Sequence, residues 1–79
     1  MITVKYFSYM HPVRTSELDI PPGTTAEAVF PMLAELCGLS VEELLAQHTL
    51  VIDNARLESG VVIGAENRNI RILPLPVGG

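Results

Sequence analysis

A single cysteine, a single lysine and no apolar run longer than three residues set the first bounds on this chain. Cys37 has no partner with which to close an intrachain disulfide, a usage that fits a reducing compartment. Lys5 joins four scattered arginines against nine acidic residues, giving a net charge of −4. Recognition of a phosphate backbone needs clustered cations, so nucleic acid is not an expected partner. The apolar runs fall far short of the ~20 residues a membrane helix requires, so no membrane partner is expected. The opening "MITVKYF" lacks a basic segment followed by a long apolar stretch. No secretory leader is therefore expected, and the cytoplasm is the expected location.

Groups that could do chemistry are just as sparse. His11 and His48 stand in no H-x-x-x-H spacing and beside no cysteine, so they read as surface or cap residues and no metal site is expected. Cys37 closes an apolar helix face just before Gly38 and reads as a small core residue, with no basic neighbour in sequence to activate it. Glu42 and Glu43 belong to the first turn of a helix, where they complement its dipole. No acid-base or nucleophile set converges, so the chain is not expected to be an enzyme by itself.

What is present is the material for one small globular domain. The 79 residues are 48% apolar and 18% charged. A chain of this length buries only about 60% of the surface it exposes when unfolded, so its core must be economical. Residues 2–9, "ITVKYFSY", alternate Ile2, Val4 and Tyr6 against Thr3, Lys5 and Phe7, the period of a half-buried strand. After a loop around "MHPVR", "TSELDI" alternates again through Leu18 and Ile20, completing a hairpin that "PPG" closes.

Thr24 and Glu27 have capping-box spacing at the head of a helix. Ala26, Val29, Phe30, Leu33 and Leu36 then fall on one face, and Gly38 suits a left-handed C-terminal cap. Pro31 interrupts this helix, predicting a kink with the ring outward and Val29 and Leu33 inward. Ser40 and Glu43 repeat the capping logic for a second, short helix. "TLVID" (49–53) reads as a third strand, turning at Asp53-Asn54, where a positive φ is tolerated. A short fourth strand is expected at Arg56 and Leu57, a turn at 64–67, and a last strand in "NIRILPL". The order β-β-α-(α)-β-β-β describes an α+β domain with a mixed four- to five-stranded sheet and one main helix across it.

The sequence finishes on "RILPLPVGG". Two terminal glycines contribute nothing to a core, because glycine has the most backbone freedom to lose on ordering. The division expected is a domain over 1–73 and a tail over 74–79. With its element order, this ending resembles the ubiquitin-like β-grasp sulfur carriers, and within them it is most similar to the small subunit of molybdopterin synthase. That family's last strand leads through a proline-rich tail into Gly-Gly, and its first strand resembles "MITVKYF", including the aromatic at position 7. Two features depart from the pattern. Leu75 replaces one of two adjacent prolines, and "GAENRN" replaces a D-G-D type turn.

The resemblance implies that Gly79, preceded by Gly78, is the group acted upon. A ubiquitin-activating-type adenylating enzyme would convert its carboxylate to an acyl-adenylate. A sulfur donor, either a sulfurtransferase or a cysteine desulfurase, would convert that to a thiocarboxylate. The sulfur would then pass to a pterin precursor held in the large catalytic subunit of molybdopterin synthase. No cofactor of its own is implied, since no glycine-rich phosphate loop exists and ATP belongs to the activating partner. Partner contacts are implied at Phe7 and Leu73, as an apolar patch, and along Pro74, Leu75, Pro76 and Val77. Arg56 or Leu57 would supply a further contact. Three alternatives remain open: a thiamine-type sulfur carrier, a ubiquitin-like modifier of lysines, and a β-grasp interaction module without acyl chemistry.

Overall fold

The computed structural model describes residues 1–76; Val77, Gly78 and Gly79 lie outside the described residues. Five strands, β1 (Ile2–Tyr6), β2 (Arg14–Leu18), β3 (His48–Ile52), β4 (Ala55–Arg56) and β5 (Asn69–Pro74), form one sheet in the order β2-β1-β5-β3-β4. The first and last strands run parallel at its middle, and the other pairings are antiparallel. Two helices, α1 (Ala26–Cys37) and α2 (Val41–Gln47), lie between β2 and β3 in sequence. This mixed sheet under a crossing helix is the expected α+β arrangement, a β-grasp fold.

The alternation read from the sequence decides which sheet face is covered. Ile2, Val4, Leu50, Ile52, Ile70 and Ile72 point to one side and pack against Ala26, Val29, Phe30, Leu33 and Ala34 of α1. Fully burying an aliphatic side chain of this size stabilises by roughly 1.5–3 kcal/mol, and this layer supplies most of the fold's driving force. Pro31 sits on the exposed side of α1, as expected, with Val29 and Leu33 inward. Gly38 takes the left-handed conformation (φ 71°), so the Leu39 N–H can reach back to the Ala34 carbonyl at 2.9 Å. The capping box at Ser40 and Glu43 is formed in full.

Several boundaries differ from those read in the sequence. The N-cap of α1 is Thr25, not Thr24, and there is no capping box. The Thr24 hydroxyl instead donates to the Pro21 carbonyl (2.7 Å), while Glu27 accepts the Gly60 N–H at 3.3 Å. The segment around Val61 to Ile63 causes the change. Its backbone bonds to Gly23, Thr24 and Ala26 straighten the approach to the helix and satisfy the Ala26 N–H, which has no partner within the helix. β1 stops at Tyr6 rather than residue 9, because the Ser8 hydroxyl accepts the Met10 N–H (3.2 Å) and turns the chain. β5 runs on to Pro74, which pairs with His48, so the first residue expected in the tail belongs to the sheet.

Candidate functional site

Because β1 and β5 are parallel, their C-terminal ends emerge together, beside the start of β3. The chain continues from β5 at this pole, and two elements grip it. The Leu75 N–H donates to the Gln47 carbonyl at the end of α2 (3.1 Å), and the Leu75 carbonyl accepts from the Tyr9 hydroxyl (3.1 Å). Both backbone groups of Leu75 are thus held, from opposite sides. Pro76 is exposed. Tyr9 was not singled out in the sequence. An exposed tyrosine in a loop carries no periodicity, and its partner lies 66 residues away.

Beside this exit lies the uncovered face of the sheet. The Phe7 N–H donates to the Ile72 carbonyl (3.0 Å), which carries the ladder one residue past β1 and puts Phe7 next to Leu73. Leu73 is in turn opposite Thr49 of β3. Phe7 and Leu73 are half-buried and stand outside the helix-covered core, whereas Tyr6 packs against it. Of the two later candidates, Leu57 is only 3% exposed and belongs to the core, while Arg56 is exposed. Arg56 shares the open face with Val51, its register partner. Val51 escaped notice in the sequence because it stands between Thr49 and Asp53 on the polar side of "TLVID" and meets Arg56 only through the pairing of β3 with β4. The structure thus gathers Phe7, Leu73, Pro74, Leu75 and Pro76 at one pole; Val77, Gly78 and Gly79 lie outside the described residues.

The helix-side flank of the same pole holds the remaining chemical groups. The Arg14 guanidinium lies 5.2 Å from the centre of the Tyr6 ring, whose other neighbour is His48, edge-on at 5.7 Å. Arg14 also donates to the Leu36 carbonyl (3.3 Å), and Nδ1 of His48 lies 3.2 Å from the Leu44 carbonyl. Tyr6 and Arg14, together with His11 and Cys37, line an open cavity of about 620 Å³. Burial pushes the Cys37 thiol above its usual range, and the charge of Arg14 offsets this only in part. The thiol is therefore held in its unreactive form. No cluster of metal-ligating side chains occurs among the described residues.

At the other end of β5, Asp53, in the turn that follows β3, holds the start of the strand, its N–H donating to the Asn69 carbonyl (2.8 Å). It adopts a positive φ of 51°, and its carboxylate accepts from Asn67 Nδ2 (2.7 Å) and from the Arg68 and Asn69 N–H groups. These bonds, led by that from Asn67, hold the carboxyl below the usual aspartate range.

The chain matches no family model and no curated sequence. No helix among the described residues is long and apolar enough to cross a membrane.

Proposed function

We propose that this chain is a cytoplasmic sulfur carrier of the β-grasp type, acting as the small, non-catalytic subunit of a molybdopterin synthase-type pair. The observation that carries the reading is the way the central strand continues past the sheet. β5 leads straight to Leu75, which is fixed on both sides at the pole that holds an uncovered apolar pair, Phe7 and Leu73, and the sequence goes on with Pro-Val-Gly-Gly. An acyl group that must enter another protein's active site calls for this division of labour. The root is held by two hydrogen bonds, and the two terminal glycines have no side chains to clash in a narrow channel. Pro76 fixes its φ at about −65° between them, which lowers the entropy lost when the tip inserts.

In this scheme an ATP-dependent activating enzyme adenylates Gly79 with loss of pyrophosphate. The outer sulfur of a donor persulfide displaces AMP to form an acyl disulfide. A thiol then cleaves that disulfide, taking the donor's inner sulfur into a new disulfide and freeing the thiocarboxylate. The large synthase subunit then takes the sulfur onto a pterin precursor. The chain's own residues bind and position; Phe7, Leu73 and the tail meet the partner, and Gly79 is modified rather than catalytic. Intact mass of the protein isolated from its native cell tests the scheme. A fraction carrying one sulfur in place of one oxygen, localised to Gly79, is the expected result. A uniformly unmodified chain, or Gly79 bonded to lysines of other proteins, would refute it, the latter in favour of a ubiquitin-like modifier. A thiocarboxylate on a chain that associates with thiazole-forming rather than pterin-binding proteins would place it with the thiamine-type carriers.

A further inference from the structure

The open face of the sheet carries a second pattern, one row away from Phe7 and Leu73. The strand register puts Thr15, Lys5, Arg71, Val51 and Arg56 in a single line across all five strands. In a chain whose net charge is −4, three of the five cations stand in this one row. Lys5 and Arg71 are direct register partners, and like charges directly opposite destabilise a sheet. The register also brings Glu17 of β2 onto this face, diagonally from Lys5, but no side-chain hydrogen bond joins it to Lys5 or Arg71 among the described residues. Among the described residues the Arg71 side chain donates to a neutral acceptor, the Asp53 carbonyl (3.1 Å). The Asp53 carboxylate is taken up by Asn67, Arg68 and Asn69. Glu27, Glu35, Glu42 and Glu43 are on or beside the helices, in the opposite layer. A cavity of about 460 Å³ adjoins Lys5 and Arg71, lined also by Asp53, Asn54, Asn69 and Ile70; the Asp53 carboxylate is already bonded, which leaves the two cations to meet an incoming acid.

We propose that this face docks a protein surface that is apolar where it meets Phe7 and Leu73 and acidic where it meets Lys5, Arg71 and Arg56. The inference rests on the reading of this face as the carrier's docking surface and adds the chemistry of what it meets. Two facing rows of different character fix the partner's rotation about the tail axis, which an apolar patch alone would leave free. Exposed cations also steer encounter with an acidic surface, so association is fastest at low ionic strength. A polyanion such as RNA is a poor occupant, because the chain's net negative charge repels it.

Site-specific photocrosslinking tests the proposal in the native cell. A benzophenone side chain replaces exposed Thr15 at the end of the cationic row and, as a control, Glu35 on the helical side. The expected result is a single protein adduct from position 15, joined through a peptide rich in Asp and Glu, and none in common from position 35. Lys5→Glu is expected to cut that adduct about tenfold, the effect of removing one charge-assisted hydrogen bond. Reversing the partner's acids to lysine should restore it. Lys5→Glu also turns the like-charged pair with Arg71 into an opposite one, so the variant keeps its fold. Adducts indifferent to Lys5→Glu, or formed equally from both positions, would overturn the proposal, as would a crosslink to RNA or to a second copy of this chain. The readout does not depend on acyl chemistry. A captured acidic partner with an unmodified Gly79 upholds this inference while removing the sulfur-carrier reading.

Discussion

Replacing Tyr9 by phenylalanine isolates a single hydroxyl, the one that holds the Leu75 carbonyl. The ring remains, so packing is preserved and only the 3.1 Å bond is removed. Both partners are exposed, and in the variant the freed carbonyl returns to water. The net loss therefore sits at the low end for a neutral hydrogen bond, about 0.5–1 kcal/mol. Releasing the tail root also requires breaking the Leu75–Gln47 bond, so the two act in series on one local opening. Local opening free energy falls by the same amount, and the Leu75 amide is expected to exchange about two- to fivefold faster. The buried Ile70 and Ile72 positions, which open only with the whole sheet, should be unchanged. Amide exchange followed residue by residue reads both. An unaltered Leu75 rate would refute the claim that Tyr9 fixes the root of the tail. Uniform acceleration along β5 would show that the hydroxyl supports the domain instead.

Pro31→Ala should stabilise the protein. The ring is exposed on α1, and alanine restores the bond to the Glu27 carbonyl; set against the ~3 kcal/mol helix preference is a smaller entropic loss in the unfolded chain, leaving about 1–2 kcal/mol in urea unfolding. Asp53→Asn keeps a residue that tolerates positive φ but loses the carboxylate, and should cost about 1 kcal/mol at neutral pH after allowance for solvent exposure. Since the folded-state pKa of Asp53 is lowered, its contribution is complete above the unfolded value and disappears as pH falls through the folded one. Urea midpoints of wild type and variant should therefore converge in acid. Convergence at alkaline pH instead would contradict the sign. Residues appended after Gly79 should abolish thiocarboxylate formation, read by mass after incubation with the activating enzyme, sulfur donor and ATP; undiminished thiolation would refute the proposed chemistry.

The core was legible wherever one face of an element carries the apolar residues. Ile70 and Ile72 against Arg71, or Val29 and Leu33 around Pro31, leave no second orientation that buries as much. The Ser40–Glu43 cap could be read because all its bonds are local. The start of α1 could not, since adjacent threonines compete and the choice between them is made by Val61 and Ile63, far along the chain. The proposed docking face was half legible for a similar reason. Phe7 and Leu73 follow from alternation, but the cationic row exists only through the pairing of β1, β5, β3 and β4. Nor does local sequence place Tyr9 against Leu75.

The strand made last among the described elements occupies the middle of the sheet. Until it arrives, the β1–β2 hairpin and the β3–β4 pair are two fragments with open edges and no common wall for α1. Assembly must wait for this distant segment to close the gap, which favours slow folding and leaves exposed edges meanwhile. A nascent chain cut short before β5 would thus lack the sheet as well as the proposed carrier end.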